Sequence, residues 1–201
     1  MRGQEGHDRV CVHLLPQNQK LKGGAIIAKA PDTAQPPIWR GLRPQVSNKT
    51  WLLVLGSFPG KASLLAQQYY GHPQNQFWRL INGVFELGLT ERSYAERLGV
   101  LEGEGIGLWD VITAAEREGS LDSAIRNAQY SDLHGLLDML PNLSVIAFNG
   151  GTAAKAGRKQ LGDRAADYQM VDLPSSSPAY TLAFEKKLQA WLALIALRKP
   201  E

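Results

Sequence analysis

The sequence predicts an α/β fold of three layers, α/β/α, with a mainly parallel four-stranded central sheet. Three observations predict it. Trp51–Leu55 (WLLVL) is an unbroken apolar run too short for an independent helix, so it reads as a strand buried on both faces. Further short segments of strand character recur at Ile106–Ile112, Val145–Phe148 and Tyr168–Leu173, and stretches with apolar residues at helical spacing separate them. Strands that alternate with helices pair in parallel and are covered on both sides.

Taken in order, residues 1–38 mix Gly, Pro, Gln, Lys and Ala without sustained period, and Pro31 to Pro37 reads as linker. A disordered basic extension is expected there, with Ala25–Ile27 as a minor candidate strand, followed by one domain over 39–201. Leu42–Val46 enters as an extended lead-in to the first strand. Gly56 ends that strand and opens a long loop to Asn75. Helices are expected over Gln76–Leu89 and Arg92–Leu101. Ile106–Ile112 forms the second strand and runs into a polar segment, Ala114–Asp122. Ser131–Leu140 reads as a short helix with Ser131 as N-cap and Pro141 beyond its end. Val145–Phe148 delivers Asn149-Gly150-Gly151 to the same edge as Gly56, and a helix over Thr152–Leu161 follows. Tyr168–Leu173 leads into Pro174-Ser175-Ser176-Ser177-Pro178-Ala179-Tyr180, and Leu182–Leu197 is an amphipathic helix.

Composition narrows the function classes. At 201 residues and 44% hydrophobic content the chain can bury one substantial core. Its longest apolar runs fall well short of the roughly 18 residues that a membrane span requires, and no signal-peptide block opens the sequence, so a cytoplasmic, nucleoid-associated protein is expected. A single cysteine, Cys11, excludes a disulfide framework and a cysteine-ligated cluster or zinc site, and four scattered histidines do not suggest a metal. The net charge of +3 is unevenly placed: residues 1–50 hold eight Lys or Arg against three acidic residues, leaving −2 over residues 51–201. A basic tail raises non-specific affinity for DNA by counterion release, whereas the domain must argue from its local groups.

Three loops meet at the carboxyl ends of the strands, where open α/β sheets place their ligands. The first, Gly56-Ser57-Phe58-Pro59-Gly60, lets backbone N–H groups approach a ligand, and Ser57 and Ser63 offer hydroxyls to phosphate oxygens. It continues through Tyr69, Tyr70, Gly71, His72, Pro73 and Asn75, a concentration of rigid aromatic and amide groups that suggests a site. Gly60-Lys61 superficially suggests a nucleotide-binding P-loop. The glycines, however, are four apart rather than five, and Ala62 stands where a magnesium-binding hydroxyl is needed.

GSFPG, then YYGHPQNQFW, then GLWDVI with REGSLD, then FNG and LPSSSPA, in this order and spacing, resemble the uracil-DNA glycosylase superfamily, and within it the hypoxanthine-DNA glycosylase (DNA-deoxyinosine glycosylase) family, from about residue 41 onward. The resemblance implies a monofunctional, cofactor-free and metal-free DNA repair enzyme. It would flip a deaminated base (hypoxanthine, uracil or xanthine) out of duplex or single-stranded DNA and hydrolyse its N-glycosidic bond, acting as a monomer. By motif position Tyr70 would stack on the flipped base, Asn149 would read its edge, and Ser57 and Phe58 would line the base pocket. Ser63, Ser175, Ser176, Ser177 and Tyr180 would contact DNA, although Ser176 and Tyr180 depart from the Thr and Asn usual there. Phe58 stands where many superfamily members carry a catalytic Asp or Asn, and the family's HP-x-N-x-FW motif implies that Asn75 takes that part.

The residues fit such chemistry when read alone. A base-excising enzyme needs a stacking face, polar atoms for the base edge and a positioned water. An amide does not titrate, so Asn75 would orient water and offer its oxygen to developing positive charge. The alternative readings are plain ones: Asn75 as a loop brace, Asn149 as a helix entry, and Tyr69 or Tyr70 as core. His72, Asp110, Arg117 and Asp122 read as structural braces. A non-catalytic lesion-binding protein of the same fold stays open, while a nucleotide-dependent oxidoreductase would require a G-x-G-x-x-G that GSFPG does not supply.

Overall fold

Leu52–Gly56 is buried along its whole length, as an unbroken apolar run demands, and the other layers are laid against it. The structure, a computed structural model, describes residues 37–198, so the expected extension and the candidate strand Ala25–Ile27 lie outside the described residues, except for Pro37 and Ile38. Ile38 opens the first strand, β1 (Ile38–Arg40), rather than closing the extension.

Four strands make the central sheet: β2 (Leu52–Gly56), β3 (Ile106–Asp110), β6 (Val145–Asn149) and β7 (Gln169–Leu173), in the order β3-β2-β6-β7. Every pairing in it is parallel, with Leu52 level with both Ile106 and Val145. Alternation along the strands sorts the core into two layers. Leu53, Leu55, Ile146 and Phe148 pack with α4 (Leu133–Asp138) and α5 (Gly151–Leu161) on one side. Leu52, Val54, Leu108 and Ala147 pack with α2 (Phe77–Phe85), α3 (Tyr94–Gly103) and α6 (Phe184–Trp191) on the other. This is the expected three-layer arrangement. The lead-in also holds, since Gln45 bridges Leu108 in antiparallel fashion at the sheet's edge.

Several expected boundaries move for identifiable reasons. The expected strand Ile106–Ile112 is two strands broken at Val111: β3 stays in the parallel sheet, while β4 (Ile112–Arg117) turns into a second, antiparallel sheet of order β1-β4-β5 with β5 (Ile125–Tyr130). The segment read as merely polar, Ala114–Asp122, is therefore strand over its first four residues, which complete the mostly buried β4, and the more exposed β5 follows beyond it. A six-residue helix, α1 (Lys61–Ala66), sits inside the long first loop. α3 begins with a capping box, in which Ser93 Oγ accepts from the Glu96 N–H and the Glu96 carboxylate accepts from the Ser93 N–H. The N-cap of α4 is Asp132, accepting from the Gly135 N–H, while the expected cap Ser131 donates its hydroxyl to the Asp110 carbonyl. The last expected helix is α6 followed by 3-10 turns over Leu192–Leu197.

Candidate active site

The parallel register brings three strand ends to one level. Gly56 is paired with Asp110 on one side, and Asn149 follows the Leu55–Phe148 pair on the other. Because side chains alternate along a strand, Asp110 and Asn149 share the parity of Leu108 and Ala147 and turn to the face that carries α2. Gly56 between them has no side chain, and a Cβ there would overlap Asp110 Oδ1 and reach within 3.6 Å of the Tyr70 hydroxyl. The floor of a cleft of about 410 Å³ opens at this point, walled by the first loop, the turn after β4 and the serine loop after β7.

Asn149 is buried and tied to Ser176 twice. Its Oδ1 accepts from the Ser176 N–H at 2.8 Å and its Nδ2 donates to Ser176 Oγ at 2.8 Å. The backbone donor settles which end of the amide is oxygen and leaves one Nδ2 hydrogen uncommitted. Gly150 next to it has φ +105°, a conformation suited to glycine, and a Cβ there would press on Ser175 at 3.0 Å.

Tyr70 takes a left-handed backbone conformation, φ 54°, and stacks on Phe77 with ring centroids 3.8 Å apart. Its hydroxyl is buried without a partner in hydrogen-bond geometry, although the Asn149 amide lies beside it. Burial raises the phenol's pKa, the Asp110 carboxylate adds to the rise, and Asn149 opposes it. Tyr69 is core, as its alternative reading had it, with its hydroxyl donating to the Arg43 carbonyl at 3.0 Å.

Asn75 lies half-buried at the cleft, its Oδ1 accepting from the Phe77 N–H at 2.9 Å. The next residue joins two loops, since the Gln76 N–H donates to the Ser176 carbonyl at 3.0 Å. His72 braces the same turn, its Nδ1 accepting from the Gln74 N–H at 3.2 Å.

Other candidates are placed differently from their expected parts. Ser63 is buried and accepts from the Gly71 N–H at 3.0 Å, which makes it a brace beneath the tyrosine turn rather than a phosphate contact. Ser176 is 1% exposed and its hydroxyl is engaged by Asn149, so it is turned into the cleft floor and away from the surface where DNA would lie. Ser57 donates to Asp122 Oδ1 at 2.8 Å, tying the first loop to the turn after β4. Phe58 borders the cleft, but its ring is packed in the core with the Arg117 guanidinium 4.9 Å above it. Ser175 and Ser177 lie half-buried on the rim, their hydroxyls accepting from the Ser177 and Ala179 N–H groups at 3.2 Å. Tyr180 is 48% exposed at the mouth.

Sequence reasoning treated three features as braces or passed over them. Asp110 is buried at the cleft, its Oδ2 has no partner, and burial pushes its carboxyl up to about 7, with Asp122 adding to the rise and Arg117 opposing it. Its position as the polar end of an otherwise apolar strand was the available signal. Arg117 donates from Nη2 to the Pro59 carbonyl, while its Nε and Nη1 are buried without partners. Lys187, 1% exposed, donates from Nζ to the Ser177 carbonyl at 3.4 Å beneath the serine loop, and burial lowers its pKa. It shares the apolar face of α6 with Phe184, Leu188 and Trp191, a spacing that marks it as inward-pointing.

Known proteins resemble the chain over this whole region. Residues 44–199 match the family described as the uracil DNA glycosylase superfamily. The hypoxanthine DNA glycosylase of Methanosarcina barkeri is 38% identical over 76% of this chain and 94% of its own length. That of Methanosarcina acetivorans is 40% identical over 78% of this chain and 98% of its own. A solution NMR structure from Methanosarcina acetivorans, described provisionally as a uracil DNA glycosylase, superposes with a TM-score of 0.70 at 39% identity, covering 79% of this chain and 96% of its own.

Proposed function

The chain belongs to the uracil DNA glycosylase superfamily, and from that premise we propose that it excises deaminated bases from DNA, hypoxanthine foremost, leaving an abasic site. The observation that carries the reading is the cleft at the carboxyl end of the parallel sheet, which combines an aromatic ring with a carboxamide of fixed orientation.

A base inside a duplex is out of reach, so the nucleotide turns out of the stack and its base enters the cleft. The face of Tyr70 opposite Phe77 stacks on it, a contact of roughly 1–3 kcal/mol. Asn149 gives its uncommitted N–H to the base carbonyl and accepts from the neighbouring ring N–H on its second oxygen lone pair. Hypoxanthine and uracil share that pair of groups, and because Ser176 holds the amide from flipping, adenine's reversed pattern is disfavoured. Asn75 Oδ1 keeps one lone pair beyond the Phe77 contact, and it orients a water toward C1′ of the sugar. Cleavage through an oxocarbenium-like state places positive charge on the sugar, so an oriented water suffices as nucleophile and the amide dipole stabilises the charge. Ser175, Ser177 and Tyr180 form the rim against the DNA backbone, with Tyr180 able to wedge into the base stack. The proposed enzyme acts as a monomer on duplex or single-stranded DNA in the cytoplasm.

The test uses oligonucleotides with one deoxyinosine, deoxyuridine or deoxyxanthosine, treated with the protein and then alkali. Strand breaks at the lesion are expected, strongest for deoxyinosine. Lesion binding without breaks would instead establish a non-catalytic lesion-binding protein.

A further inference from the structure

Asp110 and Asn149 end β3 and β6, the strands on either side of β2, and both side chains face α2 across the bare Cα of Gly56. Neighbouring strands lie about 4.8 Å apart, so the two groups flank a gap about 10 Å wide between their backbones. A planar base with one hydrogen-bonding group at each edge fits such a gap. Asn149 is already committed to Ser176, whereas Asp110 is committed to nothing. Its Oδ2 is buried without a partner, it makes no ion pair among the described residues, and the neighbouring Tyr70 hydroxyl is also unpartnered. Buried polar groups are nearly always paired, so an unpaired one lining a ligand cleft calls for a partner that a ligand can supply.

We infer that Asp110 is a further catalytic residue, a neutral carboxylic acid that donates a hydrogen bond to a ring nitrogen of a flipped purine, opposite the edge read by Asn149. The inference rests on the proposed excision of hypoxanthine and sharpens its substrate class, because hypoxanthine has acceptor nitrogens at N3 and N7 and uracil has none. When the C1′–N9 bond breaks, its electron pair passes into the purine ring. The Asp110 proton moves to the ring nitrogen, and the base leaves neutral. The water oxygen bonds to C1′, and its surplus proton returns to the Asp110 carboxylate through solvent. The groups facing Asp110 are the Tyr69 and Tyr70 phenols from the first loop, and Arg117 and Asp122 from β4 and the turn after it. Burial and Asp122 favour the neutral acid, Arg117 opposes it, and the balance falls at about 7.

Single-turnover excision from deoxyinosine and deoxyuridine duplexes, followed across the pH range around 7, tests this with the full chain, Asp110→Asn and Asp110→Ala. For the parent, the deoxyinosine rate should fall about tenfold per pH unit above about 7, with the deoxyuridine rate showing no such fall. Both variants should lose roughly 10²-fold on deoxyinosine at low pH and lose the slope, with far less effect on deoxyuridine. In the parent alone, affinity for a duplex with uncleavable 2′-fluoro-deoxyinosine should weaken over the same range, which tests the proton without any variant. A deoxyinosine rate that rises with pH, a loss equal on both bases, or a flat affinity overturns the assignment. A parent that cuts neither duplex refutes base excision itself, whereas one that cuts deoxyinosine with a flat profile refutes Asp110 alone.

Discussion

The two sides of the cleft are built on opposite plans. On the β6–β7 side Asn149 and Ser176 satisfy each other twice, at 2.8 Å each, and Lys187 holds the loop from below. On the β3–β4 side four buried polar atoms have no partner among the described residues, Asp110 Oδ2 and the Tyr70 hydroxyl at the cleft and Arg117 Nε and Nη1 beside Phe58. The first side has its geometry fixed before a ligand arrives, since every contact is intramolecular. The second keeps groups whose burial has a cost of about 1–3 kcal/mol each until something hydrogen-bonds to them. On the function and the Asp110 role proposed above, selectivity falls to the finished side and acid chemistry to the unfinished one.

The largest expected effect would break this contrast on the unfinished side. A carboxyl whose folded pKa is raised contributes stability that is complete below the unfolded value, 3.8, and is lost as pH rises through about 7. At about 1.4 kcal/mol per pKa unit, the parent should lose up to roughly 4 kcal/mol over that window relative to Asp110→Asn. Thermal melts of both proteins on either side of the window should show the melting temperatures converging or crossing as pH rises. Parallel melting curves at all pH values would mean that folding leaves the Asp110 carboxyl unshifted, and a parent that gains on the variant as pH rises would mean that Asp110 is ionised and paired.

The seam between the two sides comes next. Asn75→Ala should keep affinity for abasic-site DNA while single-turnover cleavage falls by roughly 10²-fold or more, the signature of a group that acts in the transition state. An unchanged rate would leave Asn75 only its contact with the Phe77 N–H.

On the finished side, Asn149→Asp keeps an acceptor for the Ser176 N–H but removes the donor that the base carbonyl needs. Excision should slow by roughly 5- to 150-fold, the equivalent of about 1–3 kcal/mol, on deoxyinosine and deoxyuridine together. Binding to abasic-site DNA, which has no base edge, should stay level in a filter or anisotropy assay. A variant as fast as the parent would leave the reading of the base to backbone groups.

The smallest effect should come from outside both sides. Removing residues 1–36, which spares Ile38 and its pairing with Glu116, should leave excision at low salt nearly intact and make DNA binding weaker and less salt-dependent. A truncated protein that folds but does not cut would give the extension a part in the site.

What the sequence disclosed follows the same contrast. β2 and β6 were legible because both faces are buried and every residue is apolar up to the strand end. β4 and β5 were not: β4, the mostly buried middle strand of the second sheet, carries Thr113 and Glu116, and β5, at its edge, carries Arg126 and Gln129, a composition shared with loops. Tyr70, Asn75 and Asn149 could be named as candidates because their types and motif positions suit base recognition, and all three line the cleft. Ser63 and Ser176 were misplaced because a serine's type does not say whether its hydroxyl meets a phosphate or a neighbouring backbone N–H. Asp110 read as a brace because a single carboxylate in a sequence does not disclose the pairing that sets it beside Gly56 at the cleft.

The position of β2 also governs how the chain must assemble. Both neighbours of this strand come much later in the sequence, and the Trp51 carbonyl waits for Ser144, 93 positions away. Such pairing across long loops slows folding, because loop-closure entropy is lost before any contact repays it. During synthesis β2 leaves the ribosome before the other three strands of its sheet and spends many residues as an apolar strand with both edges bare. The nascent chain is therefore most prone to aggregation before Val145–Asn149 emerges, and substitutions that slow closure of the β2–β6 pair should lower soluble yield more than they lower the stability of the finished enzyme.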